Sequence, residues 1–259
     1  MLVRVRRKQG GARLSAQLPV NAMSRRAVDA EVERLRHSVV PIIRSKGGRP
    51  FLEGSAVAIS YRGRKCLATA FHVLKHNDGR QLMYFAADGY VRPLGGTFEV
   101  SEKHDIAVAL LDDADIAALS HIPFLTEDQI GSAAGGDGRF YASVTGYPHT
   151  ASKLMDRQTL DTRMEVYSAA ARETVGGFLS VHFDKKLGAW GANGHVYVRD
   201  PKGKSGGAIF GMPLLGLNSV QPSAQAKLVG IPTLWRGKEI IGASAAMLIP
   251  LLEAVTQDH

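Results

Sequence analysis

Gly203-Lys204-Ser205-Gly206-Gly207 is the stretch from which the fold of this chain is read outward. A serine hydroxyl is a weak nucleophile and needs a neighbouring base. After attack, the oxyanion needs donors, and flanking glycines let the backbone turn tightly enough to aim N–H groups at it. Taken alone, the pentapeptide reads equally well as a flexible Gly/Ser turn. Two upstream segments change its weight. In Thr69-Ala70-Phe71-His72-Val73, a histidine follows a strand ending among small residues, which sets an imidazole at a sheet rim. In His104-Asp105-Ile106-Ala107-Val108-Ala109-Leu110-Leu111, an aspartate directly precedes an apolar strand. A partly buried carboxylate there needs a donor, and a histidine Nδ1–H supplies one. His104 is expected on the opposite face from Asp105, because strand side chains alternate.

Chain order separates the folds that use such residues. Gly203-x-Ser205-x-Gly207 also fits the nucleophile elbow of α/β-hydrolases, whose order is Ser, acid, His. The only histidine after Ser205 is the terminal His259, and no βα units surround the motif. The subtilisin order requires an acid before His72 on a parallel α/β scaffold, which this pattern does not resemble. The order His72, Asp105, Ser205 is that of the chymotrypsin arrangement.

On these residues the chain resembles a trypsin-like (chymotrypsin-fold) serine peptidase of the disulfide-free bacterial type, over about Ser38 to Val255. Val144-Thr145-Gly146-Tyr147-Pro148 and Leu228-Val229-Gly230-Ile231-Pro232 sit where that family has comparable pieces. The resemblance implies an all-β fold: two antiparallel six-stranded β-barrels with a short N-terminal helix and a C-terminal helix. It implies a serine endopeptidase in which His72 is the general base, Asp105 fixes its tautomer and Ser205 is the nucleophile. The N–H groups of Gly203 and Ser205 would form the oxyanion hole, and Gly230 and Ile231 would line the substrate strand. No cofactor or metal is implied. By count, Arg199 falls at the base of the specificity pocket, where it would select acidic side chains. Its plainer reading is a turn, Arg199-Asp200-Pro201, with an internal ion pair. Lys204 departs from the family pattern. Secreted digestive members carry Asp there, paired with a freshly cut N-terminal ammonium. A lysine would repel that ammonium, so the hole must be preformed, or ordered by substrate or an activating partner. A second function class is a catalytically silent or partner-activated fold serving as a protein- or nucleic-acid-binding module.

Composition frames these readings. The chain has 259 residues, 45% apolar and 22% charged, which suits a globular protein with a substantial core. Its net charge of +8 is uneven. Residues 1–50 hold twelve Lys/Arg against three Asp/Glu, and residues 51–259 twenty against twenty-one. The basicity is a leader, readable as a frayed terminus or as a docking arm (1–22) for an acidic partner, nucleic acid or an anionic surface. A single cysteine, Cys66, excludes an intrachain disulfide. With no secretory signal and no apolar run of about 18 residues, the expected setting is cytoplasmic. Expected units are a leader with helix (1–37), a first barrel carrying His72 and Asp105 (38–125), and a second barrel carrying Ser205 (126–259). Val28, Val32 and Leu35 predict one apolar face of a helix over Ser24 to Leu35. Pro41 predicts an edge position for Ser38 to Ile43. A terminal helix is expected over Pro250 to Val255.

Overall fold

A computed structural model describes residues 4–7, 13–16, 22–46, 49–75, 82–86, 91–94, 96–135, 137–155, 159–185, 189–191, 194–196, 200–214 and 225–257. The chain is mostly β, with two large sheets and two longer helices, Ala22–Leu35 and Ala245–Gln257.

The second half contains a closed barrel. Its strands run Arg139–Gly146, Ala208–Pro213, Lys227–Arg236, Glu239–Ser244, Phe178–His182 and Glu165–Thr174, each paired with the next. Arg139–Gly146 also pairs with Glu165–Thr174 and so closes the ring of six strands. Closure gives every strand two neighbours in the ring, though Phe178–His182 reaches only Ala171–Thr174 and leaves the start of Glu165–Thr174 with an edge. Phe140, Ala142, Val144, Tyr167, Ala169, Leu179, Val181 and Ile209 are buried together, with the two-residue period that pleated strands impose.

The first half is a seven-stranded antiparallel sheet: Val91–Pro93, Leu82–Phe85, Val39–Lys46, Arg49–Tyr61, Arg64–Ala70, Ile106–Leu110 and Phe98–Ser101. Its outermost strands do not pair with each other among the described residues, so the expected first six-stranded barrel is here an open sheet. Both faces are buried. Ala56, Ala58, Leu67 and Ala70 fall in one apolar cluster, and Val57, Ile59, Cys66 and Ala68 in another. That second cluster includes Leu248, Leu252 and Val255 of the terminal helix and Val28, Val32 and Leu35 of the first.

Four further elements depart from expectation. Val39–Lys46 is interior, pairing with Arg49–Tyr61 on one side and Leu82–Phe85 on the other. Pro41 is tolerated because the second pairing begins one residue later, at Ile42↔Tyr84. The terminal helix spans Ala245–Gln257 with Pro250 inside it. Burial of Ala245, Leu248, Leu252 and Val255 along one face outweighs the backbone hydrogen bond that proline forgoes. The N-terminal helix starts earlier than predicted, at Ala22–Leu35, but its buried face is the predicted one. The leader is not wholly frayed. Arg4–Arg7 pairs in parallel with Thr159–Thr162, and Arg13–Ala16 with the start of Glu165–Thr174. Strands of four residues, rich in Arg, carry no legible period; open sheet edges supply the pairing.

Candidate active site

The turn before Ile106–Leu110 sets the acid. Asp105 has φ +55°, a left-handed conformation that Asp tolerates better than most residues. Its N–H donates to the Glu102 carbonyl at 3.2 Å, closing the turn. Its carbonyl accepts from Phe71 N–H at 2.9 Å. Its carboxylate accepts from the His72 backbone N–H at 2.8 Å and faces His72 Nδ1 at 2.6 Å. Three contacts therefore lock the start of the short helix Phe71–Lys75 onto this turn. A second tie comes from Arg44, almost wholly buried, which donates to the Val73 carbonyl at 2.7 Å and pairs with Glu53 at 3.1 Å. His104 does not lie opposite Asp105. Both occupy the turn rather than the strand, so alternation does not govern them, and both line the same cavity. His104 meets Ser101 Oγ at 3.0 Å and the Gly176 carbonyl at 3.2 Å.

The serine loop comes from the other half of the chain. Lys204 N–H donates to the Pro201 carbonyl at 3.0 Å, and Gly207 N–H to the Lys204 carbonyl at 3.0 Å. Gly206 N–H donates to the Pro232 carbonyl at 2.8 Å. Gly206 has φ +80°, and a Cβ there would lie 2.2 Å from both the Ser55 carbonyl oxygen and Thr69 Oγ1, so only glycine fits. The Lys202 carbonyl accepts from His149 N–H at 2.9 Å. In a trans peptide the N–H points opposite to the C=O, so the Gly203 N–H faces away from His149. Neither Gly203 N–H nor Ser205 N–H donates a hydrogen bond among the described residues.

Ser55 joins the two halves, a role no sequence signal announced. Its N–H donates to the Ser205 carbonyl at 2.9 Å and its hydroxyl to the Gly203 carbonyl at 3.2 Å. The same hydroxyl accepts from Tyr147 N–H at 3.0 Å, and the Ser55 carbonyl accepts from Thr69 Oγ1 at 2.7 Å. The only hint was a small polar residue between Gly54 and the apolar run Ala56 to Ile59.

His72, Asp105 and Ser205 line one cavity of about 580 Å³. No hydrogen bond joins His72 to Ser205 among the described residues. Such contacts are often long in the absence of substrate and tighten when it binds. Pro232, Thr233, Leu234 and Trp235 form one wall and Val144, Pro201 and Ile240 add apolar surface. Gly230 and Ile231 are buried within the strand Lys227–Arg236, registered against Ser244 and Ala243; the four residues after them face the cavity. Arg199 and most of the 1–22 leader lie outside the described residues.

Lys204 is 3% exposed beneath this loop. Burial pushes its ammonium down to about 8, and the charge of Glu165 opposes that shift. Cys66 is fully buried, and burial pushes its thiol up to about 11. No helix among the described residues is long and apolar enough to cross a membrane.

No protein-family model matches the chain, and no curated protein matches it in sequence. Among solved structures it is similar to the crystal structure of the serine endoprotease from Yersinia pestis, at 18% identity and a TM-score of 0.52, covering 93% of this chain and 68% of that one. A likeness at that identity shows the fold alone: the chain shares the fold of that structure, and its single cysteine makes it free of intrachain disulfides.

Proposed function

We propose that this chain is a serine endopeptidase that cleaves polypeptides through an acyl-enzyme. The observation that carries the reading is the convergence on one cavity of Ser205 and of a His72 held by Asp105 through both its ring and its backbone. In this mechanism Ser205 Oγ attacks the scissile carbonyl carbon while His72 Nε2 takes its proton. The C–N bond then breaks as His72 returns that proton to the leaving amine. Water, deprotonated by His72, releases the acid and restores Ser205. Asp105 holds Nδ1–H, so that Nε2 carries the lone pair, and stabilises the imidazolium. Gly203 N–H and Ser205 N–H, both without an acceptor among the described residues, bind the oxyanion.

On this reading the first sheet (38–125) supplies base and acid, and the barrel half (126–259) supplies the nucleophile. The backbone after Ile231 offers an edge on which an extended substrate adds as a strand. The test is labelling by a fluorophosphonate, which attaches to an activated serine with loss of fluoride. Label on wild type and none on Ser205→Ala is the expected result. Label absent from wild type, or equal on Ser205→Ala, overturns the reading.

A further inference from the structure

Lys204 is a buried cation that the proposed chemistry leaves without a task. It directly precedes Ser205, and its own N–H and C=O make two of the hydrogen bonds that shape the loop, to Pro201 and from Gly207. Its Cα lies 3.0 Å, and its Cβ 3.1 Å, from where a Cβ on Gly146 would stand, so the lysine is laid directly over that glycine. Gly146 is registered opposite Glu165 across the pairing of Arg139–Gly146 with Glu165–Thr174. The loop is thus seated on the Gly146–Glu165 rung. Lys204 is 3% and Glu165 7% exposed. Glu165 is the acid whose charge bears on the Lys204 ammonium.

A buried ammonium is costly. Glu165's charge only partly opposes the desolvation that lowers the Lys204 ammonium, so folding alone gives little reason for a lysine here. Its place between the two candidate oxyanion donors, in a loop seated on Gly146, gives another.

We infer that Lys204 is a positioning residue. Its ammonium, drawn to Glu165 across the Gly146 rung, holds residues 202–205 in the conformation that presents the Gly203 and Ser205 N–H groups to the oxyanion. The loop is thereby braced from inside the chain, by a basic residue before the nucleophile and an acid on the barrel strand. No new N-terminus is required. This inference rests on the endopeptidase reading above.

The experiment compares full-length wild type with Lys204→Met, Lys204→Arg and the double variant Lys204→Met/Glu165→Gln. The readouts are the fluorophosphonate labelling rate at Ser205 and the melting midpoint. Loss of one oxyanion donor costs roughly 10²–10³-fold in rate, and a displaced loop is expected to cost at least about tenfold. Lys204→Met should label that much more slowly, and Lys204→Arg should recover most of the rate. The double variant, which removes both charges, should melt near wild type yet remain slow. A double variant labelled at the wild-type rate overturns the inference, as does a Lys204→Arg no faster than Lys204→Met. If wild type itself takes no label, the endopeptidase reading falls and this inference with it. If wild type labels and the double variant labels equally, only the inference falls.

Discussion

Asp105 grips His72 twice: one carboxylate oxygen accepts the backbone N–H of His72 at 2.8 Å, and the other faces its ring Nδ1 at 2.6 Å. A carboxylate that only orients the ring leaves the helix start free to shift. This one fixes ring and backbone together, from a residue held at φ +55° by its own turn. Asp105→Asn retains an acceptor for the backbone N–H but presents an amide to a ring that then needs the other tautomer. Labelling and peptide hydrolysis are expected to fall about 10³–10⁴-fold while the melting midpoint changes little. An activity loss below tenfold would separate Asp105 from the chemistry.

Ser55 predicts a second effect. Ser55→Ala keeps the backbone N–H that bonds the Ser205 carbonyl but removes the hydroxyl shared by the Gly203 carbonyl and Tyr147 N–H. Two buried polar groups lose a partner, at about 1–3 kcal/mol each. The expected result is a lower melting midpoint, with a fall in kcat larger than any rise in KM. Equal melting curves for the two proteins would remove Ser55 from the seam between the halves.

Lys204 predicts a pH-dependent stability of definite sign. The folded chain releases the Lys204 proton near pH 8, whereas the ordinary lysine value is 10.5. Between those values the unfolded chain binds more protons, so this group makes stability rise with pH across about 8 to 10.5 and adds no slope below about 8. Cys66 acts in the opposite sense. Burial pushes its thiol from 9.0 up to about 11, so stability falls as pH rises through that range. Cys66 is common to wild type and Lys204→Met, and drops out of their difference. The melting midpoint of wild type relative to Lys204→Met should therefore climb from pH 8 to 10. A pH-independent difference would contradict this.

Cys66 itself should be inert. It is 0% exposed, and a thiol at about 11 rather than 9.0 has a thiolate fraction near neutral pH lower by roughly a hundredfold. A disulfide reagent at pH 8 should label the native protein at the rate of unfolding and label fully within minutes in denaturant. Rapid labelling of the native chain would place Cys66 at the surface.

Much of this protein follows from local sequence because the period of apolar side chains reports burial directly. The strands flanking His72 and Asp105 and the apolar face Val28-Val32-Leu35 are legible in that way, and the serine loop is legible by its glycines. His72, Asp105 and Ser205 are candidates read from residue type and chain order, and the three line one cavity. What lay out of reach depended on partners distant in sequence. Ser55 stands 150 residues from Ser205, and its importance lies in hydrogen bonds to Gly203, Tyr147 and Ser205 that no local period encodes. His104 was misplaced because Asp105 adopts a turn conformation just where strand alternation was assumed. Pro41 sits in an interior strand because the neighbouring pairing begins one residue beyond it. Lys204 read as a departure from a pattern; that it is buried over Gly146, opposite Glu165, was decided by how the barrel closes. Side-chain chemistry and local backbone preference belong to the sequence by itself. Which orphan carbonyl meets which hydroxyl, and which charge is taken out of water, is settled only when the two halves pack, because desolvation and hydrogen-bond geometry act between segments rather than along them.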